Sequence, residues 1–144
     1  MTAREILRSK GVGVTTIAPG ATVREAMRLL VEHNIGAVVV VSGDTISGIL
    51  TERDLLRAGA EDLRQLEDGK VADLMTREVI TASESMDLAE VMNIMTKRRI
   101  RHLPITRDDR LCGIISIGDV VNALRQSTEA ENRYLHAYIA GTPL

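Results

Sequence analysis

Gly48-Ile49-Leu50-Thr51-Glu52-Arg53-Asp54 and Gly113-Ile114-Ile115-Ser116-Ile117-Gly118-Asp119 carry one pattern at an offset of 65 residues. A glycine and apolar residues lead to a hydroxyl, and an aspartate follows three places on. Locally this is a helix start, because the hydroxyl oxygen can accept from the third amide of the helix and a carboxylate suits the positive end of its dipole. A single occurrence would need no further reading than capping.

The offset extends well beyond these stretches. Residues 14–59 lie over 79–124 without a gap, and ten of the forty-six positions are identical, among them Val14/Val79, Glu25/Glu90, Ile35/Ile100 and Gly48/Gly113. Typical residue frequencies would give about three. Each copy opens on an extended segment, 14–18 and 79–82. A helix start follows, Thr22-Val23-Arg24-Glu25 and Asp87-Leu88-Ala89-Glu90, each with an oxygen-bearing residue three before a glutamate. Apolar residues then fall at helical spacing: Val23, Ala26, Met27 and Leu30, matched by Leu88, Val91, Met92 and Met95. Strands are expected over 37–41 and 46–50, and over 103–106 and 111–115, with turns at Ser42-Gly43-Asp44 and Arg107-Asp108-Asp109.

The order per copy is strand, helix, strand, strand, helix. A unit this small buries little apolar surface alone, so an α/β fold of two β-α-β-β-α repeats packed sheet to sheet about a pseudo-two-fold axis is expected. The boundaries read as a flanking helix over 1–13, repeats over 14–59 and 79–124, a linker over 60–78 and a helical tail over 125–144. Thr2-Ala3-Arg4-Glu5 is a further capping box, and the tail has helical character as far as Gly141.

Composition narrows the function. The chain has 144 residues, a formal net charge of −2, two tyrosines and no Phe or Trp. It offers no basic field for nucleic acid or anionic membrane and almost no platform for base stacking. Lys97-Arg98-Arg99, the one basic cluster, reads as a solvated helix face. No apolar run approaches the length of a membrane span. The lone Cys112 excludes an intrachain disulfide and reads as a small buried hydrophobe, and a cytoplasmic location is expected. His33, His102 and His136 are scattered, so a zinc site is not expected. No nucleophile-and-base motif occurs, so an enzyme is not expected either. The methionines read as core or interface filler.

The doubled Gly-hydrophobic-x-Ser/Thr-x-x-Asp, in this order of elements, resembles the ribose-binding motif of CBS domains. Residues 14–124 resemble a tandem CBS pair, and Arg99-Ile100-Arg101-His102-Leu103-Pro104-Ile105 resembles the family's second-repeat strand. The ends, 3–7 and 131–139, resemble the flanks of bacterial and plant-organelle proteins that consist of a single pair. The resemblance implies an adenine nucleotide as regulatory ligand, AMP foremost, with ADP, ATP, NAD or S-adenosylmethionine as alternatives. It implies that Thr51 with Asp54, and Ser116 with Asp119, each hold a ribose. Adenine would lie among Ile35, Ala37, Ile100 and Leu103, with Thr16 and Thr81 nearby and Pro104 in the same strand. Arg101 and His102 would reach phosphate, with Arg53 as a further candidate. It also implies a homodimer and a regulated partner protein; a ligand-free interaction scaffold is the alternative. The repeats differ where Arg101-His102 faces Gly36-Ala37 in the alignment, so unequal pockets are expected.

Overall fold

Capping boxes fix several of the helix starts. Thr22 Oγ1 accepts from the Glu25 amide at 3.1 Å while Glu25 accepts from the Thr22 amide at 3.0 Å, and helix α2 (Val23–His33) starts there. Thr2 and Glu5 do the same for α1 (Ala3–Lys10). The structure, a computed structural model, describes residues 1–11 and 13–127. The expected continuation of the tail helix to Gly141, and the flank at 131–139, lie outside the described residues.

The first repeat comprises β1 (Thr16–Ile17), α2, β2 (Ala37–Ser42), β3 (Thr45–Thr51) and α3 (Glu52–Glu61). Two short helices cross over, α4 (Arg64–Asp68) and α5 (Val71–Leu74). The second repeat comprises β4 (Ala82–Ser83), α6 (Leu88–Arg98), β5 (His102–Arg107), β6 (Arg110–Ser116) and helix α7 over 117–127. The described residues thus form two three-stranded sheets, β1-β2-β3 and β4-β5-β6. In each, the first strand runs parallel to the second and the second antiparallel to the third.

The repetition reaches down to irregularities. The ladder slips between Val40 and Val41, and again between Ile105 and Thr106, 65 residues later. Asn34 ends α2 in the left-handed region at φ 51°, and Arg99 ends α6 at φ 54°. One expected symmetry fails. Asp87 stands at the start of α6 but makes no side-chain capping bond; its carboxylate lies 3.6 Å from the Met1 amino group, which draws it off the helix end.

Strand alternation sorts the side chains. Val38, Val40 and Leu50 enter the core beneath α2, and Leu103, Ile105 and Ile115 enter the equivalent core beneath α6. Ala37, Val39, Ile49 and Pro104 point to the opposite face, where β3 meets β6. The flanking helices cross between repeats. α1, which precedes the first repeat, contributes Ala3 and Ile6 to the core of the second. α5, which precedes the second, contributes Val71 to the core of the first, and Met75 after it follows. Two glycines admit these helices: a Cβ on Gly113 would come within 2.6 Å of Leu7, and one on Gly48 within 2.7 Å of Met75. Met75 and Met95 are core residues, as expected. Cys112 is half-buried at the edge of the second core, and burial pushes its thiol up.

Candidate functional site

Strand β3 ends at Thr51, whose Oγ1 accepts from the Asp54 amide at 3.2 Å, while Asp54 Oδ2 accepts from the Thr51 amide at 2.9 Å. Ser116 and Asp119 repeat this at 3.2 and 2.8 Å. Capping therefore operates in both repeats. It leaves lone pairs on each carboxylate, since every carboxylate oxygen can accept twice. The surroundings of the two carboxylates differ.

Asp54 opens onto a cleft of about 470 Å³. One wall is the start of α3 with Thr51, Glu52, Arg53 and Arg57. A second is the chain ahead of β4, with Thr76, Glu78, Val79 and Ile80. The third is the entry to β5, with Arg99, Ile100, Arg101, His102 and Pro104. Ile49, Ile80, Ile100 and Pro104 supply apolar surface. Arg53, Arg57, Arg99 and Arg101 line the same space, and none of these guanidinium groups forms an ion pair or side-chain hydrogen bond among the described residues. The cleft thus combines an accepting carboxylate, apolar walls and unpaired cations. Such a set of groups can accept from hydroxyls, pack against an apolar surface and pair with an anion.

The His102 ring lies over Gly36, where a Cβ would stand 3.2 Å from its Nε2 and 3.5 Å from Glu52 Cδ. Glycine at 36 is what lets the β5 entry approach the first repeat so closely. Burial pushes the His102 pKa below the usual imidazole value, aided by Lys10 and Arg101 and opposed by Glu52 and Asp119. The ring therefore titrates lower than its ordinary range near 6.5.

Seven of the expected residues come together in this cleft: Thr51, Arg53, Asp54, Ile100, Arg101, His102 and Pro104. The others lie elsewhere. Leu103 is fully buried in the second core, because alternation turns it away from the face that His102 and Pro104 share. Ala37 is buried between the sheets and Ile35 packs on the first core. Thr16 and Thr81 are exposed and do not line the cleft. Ser116 and Asp119 sit apart from it. Asp119 Oδ2 takes the Lys10 ammonium at 2.8 Å. Burial pushes the Asp119 carboxyl up, but its bonds from Lys10 and Ser116 outweigh this and hold it below the usual carboxylate range.

Some cleft residues escaped the sequence reading. Arg99, read there as part of a solvated helix face, ends α6 in a left-handed turn and lines the cleft. Arg57 could have been found, since it follows Arg53 by one helical turn. Thr76 carried no local signal. It pairs with Ile49 through both backbone groups, at 2.8 and 3.0 Å, and its Oγ1 lies 3.3 Å from Asp54 Oδ1. No group of three His, Cys, Asp or Glu side chains converges on a metal position among the described residues.

The duplicated architecture has known counterparts. A model of the CBS domain matches residues 3–61 and 71–126, so each match includes a flanking helix as well as a repeat. The mitochondrial CBS domain-containing protein CBSX3 of Arabidopsis thaliana is 40% identical over 125 residues, 83% of this chain and 61% of that protein. The chain therefore spans about three-fifths of that relative's length. Among solved structures, a CBS-domain containing protein of Agrobacterium tumefaciens superposes with a TM-score of 0.81 at 40% identity, over 85% of this chain and 98% of that one. CBSX2 in complex with AMP superposes at 0.73 with 28% identity, over 88% and 98%. A CBS domain pair in complex with 5′-methylthioadenosine and S-adenosyl-L-methionine superposes at 0.77 with 27% identity, over the same shares. With two matched segments, two equivalent sheets and two capped aspartates, the chain belongs to the CBS domain family as a tandem pair.

Proposed function

We propose that this CBS pair is a non-enzymatic sensor that binds an adenine nucleotide, AMP foremost, in the cleft beside Asp54. The observation that carries this reading is the composition of the cleft. Its volume of about 470 Å³ falls within the range of roughly 300–1,000 Å³ usual for small-molecule sites. In this reading Asp54 and Thr51 accept and donate to the ribose hydroxyls, and Ile80, Ile100 and Pro104 flank the base. Arg101, Arg53 and His102 face the phosphate. AMP in one structural relative, and methylthioadenosine with S-adenosylmethionine in another, support the adenosine part. The unpaired arginines favour a phosphate-bearing member of that class. ADP, ATP, NAD and S-adenosylmethionine are the competing ligands.

The ligand would touch both repeats, since Asp54 comes from the first and Arg101 and His102 from the second. Binding then favours one arrangement of the repeats over another by its differential affinity, which a partner protein can read. Homodimerisation and a cytoplasmic location belong to the same reading; no described helix is long and apolar enough to cross a membrane. A scaffold acting without ligand would not need an open cleft lined by unpaired cations.

Calorimetry of the purified chain against AMP, ADP, ATP, NAD and S-adenosylmethionine tests the reading. Asp54→Ala is expected to weaken AMP binding by about 1.5–3 kcal/mol, the value of a charge-assisted hydrogen bond. Intact binding with only a lower melting temperature would leave Asp54 as a helix cap and nothing more.

A further inference from the structure

The two repeats satisfy the same two acceptors with different donors. In the first, the Thr76 amide donates to the Ile49 carbonyl at 2.8 Å and the Thr76 hydroxyl to Asp54 Oδ1 at 3.3 Å. In the second, a single group does both: the Lys10 ammonium donates to the Ile114 carbonyl at 2.7 Å and to Asp119 Oδ2 at 2.8 Å. Ile49 and Ile114 are equivalent positions, as are Asp54 and Asp119. A neutral hydroxyl thus meets Asp54, whereas a cation neutralises Asp119.

A ribose needs the lone pairs of the carboxylate, and the Lys10 ammonium takes those of Asp119 Oδ2. We propose that Lys10 is an internal cation that occupies the second repeat's ribose position, so that the chain takes one nucleotide, at Asp54. This rests on the reading of the capped aspartates as ribose acceptors.

The device is local. The first turn of α1 is held independently of Lys10: the Ala3 and Arg4 amides donate to the Met86 and Glu84 carbonyls, and the Arg4 guanidinium reaches Glu84 at 2.9 Å. Gly11 follows Lys10 at φ 99°, with open space around it.

Calorimetric stoichiometry with AMP as the probe tests this. The wild type is expected to take one AMP per chain and Lys10→Met two. Lys10→Met with Asp54→Ala is expected to keep one, and adding Asp119→Ala to remove it. A wild type that takes two, or a cooperatively melting Lys10→Met that takes one, overturns the role of Lys10 and leaves the Asp54 site standing. AMP binding by neither protein overturns the ribose reading and the role of Lys10 with it. Nitrogen NMR of the lysine ammonium groups in the wild type gives a second readout. The Lys10 resonance is expected to persist unchanged at saturating AMP, and its loss on saturation would overturn the proposal without any variant having to fold.

Discussion

Arg101 stands at the entry to β5 with an exposed guanidinium that forms no ion pair or side-chain hydrogen bond among the described residues, and its backbone carbonyl accepts from the Ile117 amide at 2.8 Å. The side chain is thus free to meet a ligand while the backbone is held. Arg101→Ala is expected to weaken AMP by about 1.5–3 kcal/mol, roughly 10- to 100-fold, and to change adenosine binding little. Titration of the two ligands checks this, and equal losses would mean that Arg101 shapes the cleft without reading phosphate. His102 brings a pH dependence whose sign follows from its burial. The folded ring is lowered below the unfolded value, so the unfolded chain holds the extra proton and this contribution to stability is present above about pH 6.5 and lost as pH falls. A bound phosphate favours the protonated ring, so AMP binding takes up a proton between the lowered pKa of the free protein and the higher one of the complex. Because the phosphate itself gains a proton near about pH 6, the informative quantity is the affinity ratio of wild type to His102→Gln. That ratio is expected to grow between about pH 7 and pH 5.5; a flat ratio would remove His102 from phosphate recognition.

At the scale of elements, the close approaches at Gly48 and Gly113 look alike but are not. The nearest atoms to a Cβ on Gly113 all belong to the Leu7 side chain, its two methyls and Cγ at 2.6–3.2 Å, and none is backbone. One on Gly48 meets Met75 and also the Thr76 carbonyl oxygen at 2.8 Å, and that oxygen is tied to the Ile49 amide. Gly48→Ala is therefore expected to cost about 1–3 kcal/mol and to disturb the cleft wall, whereas Gly113→Ala costs less than about 1.5. Urea denaturation of both variants measures the difference. Equal losses would mean that the backbone at Thr76 yields as readily as a leucine side chain.

Over the whole molecule, the crossed flanking helices make each core depend on chain from outside its own repeat, which ties the pair into one unit. Several of the uncovered apolar side chains lie on the helices closing the repeats. Leu56 on α3 is 75% exposed, and Val121, its equivalent on α7, is 54% exposed. Ile117, one turn before Val121, is exposed as well. Apolar residues at matched places on two helices suit a second copy of the chain, and a homodimer is expected. Sedimentation equilibrium should give twice 15.7 kDa, falling to the single-chain mass in Ile117→Glu with Val121→Glu. A wild type that sediments only as the single chain would exclude the dimer.

The sequence alone determined what depends on near neighbours. Capping boxes at Thr2, Thr22 and Thr51, strand alternation in 37–41 and turn residues at Gly43 and Asp108-Asp109 act within a few positions, and their repetition at 65 residues made the duplicated architecture readable. The same locality marks Thr51 and Asp54 as a helix start, whereas the expectation that they and Arg101 and His102 meet a ligand came from the resemblance to CBS domains. The tertiary structure decided which donor each aspartate meets. These are Thr76 in one repeat and Lys10 in the other, residues that reach their carboxylates from 22 and 109 positions away. It also decided that Leu103 serves the core while its neighbours His102 and Pro104 serve the cleft. A run of buried strand residues looks alike from either side in sequence, and only the packing of α6 on one face and the first repeat on the other tells the two apart.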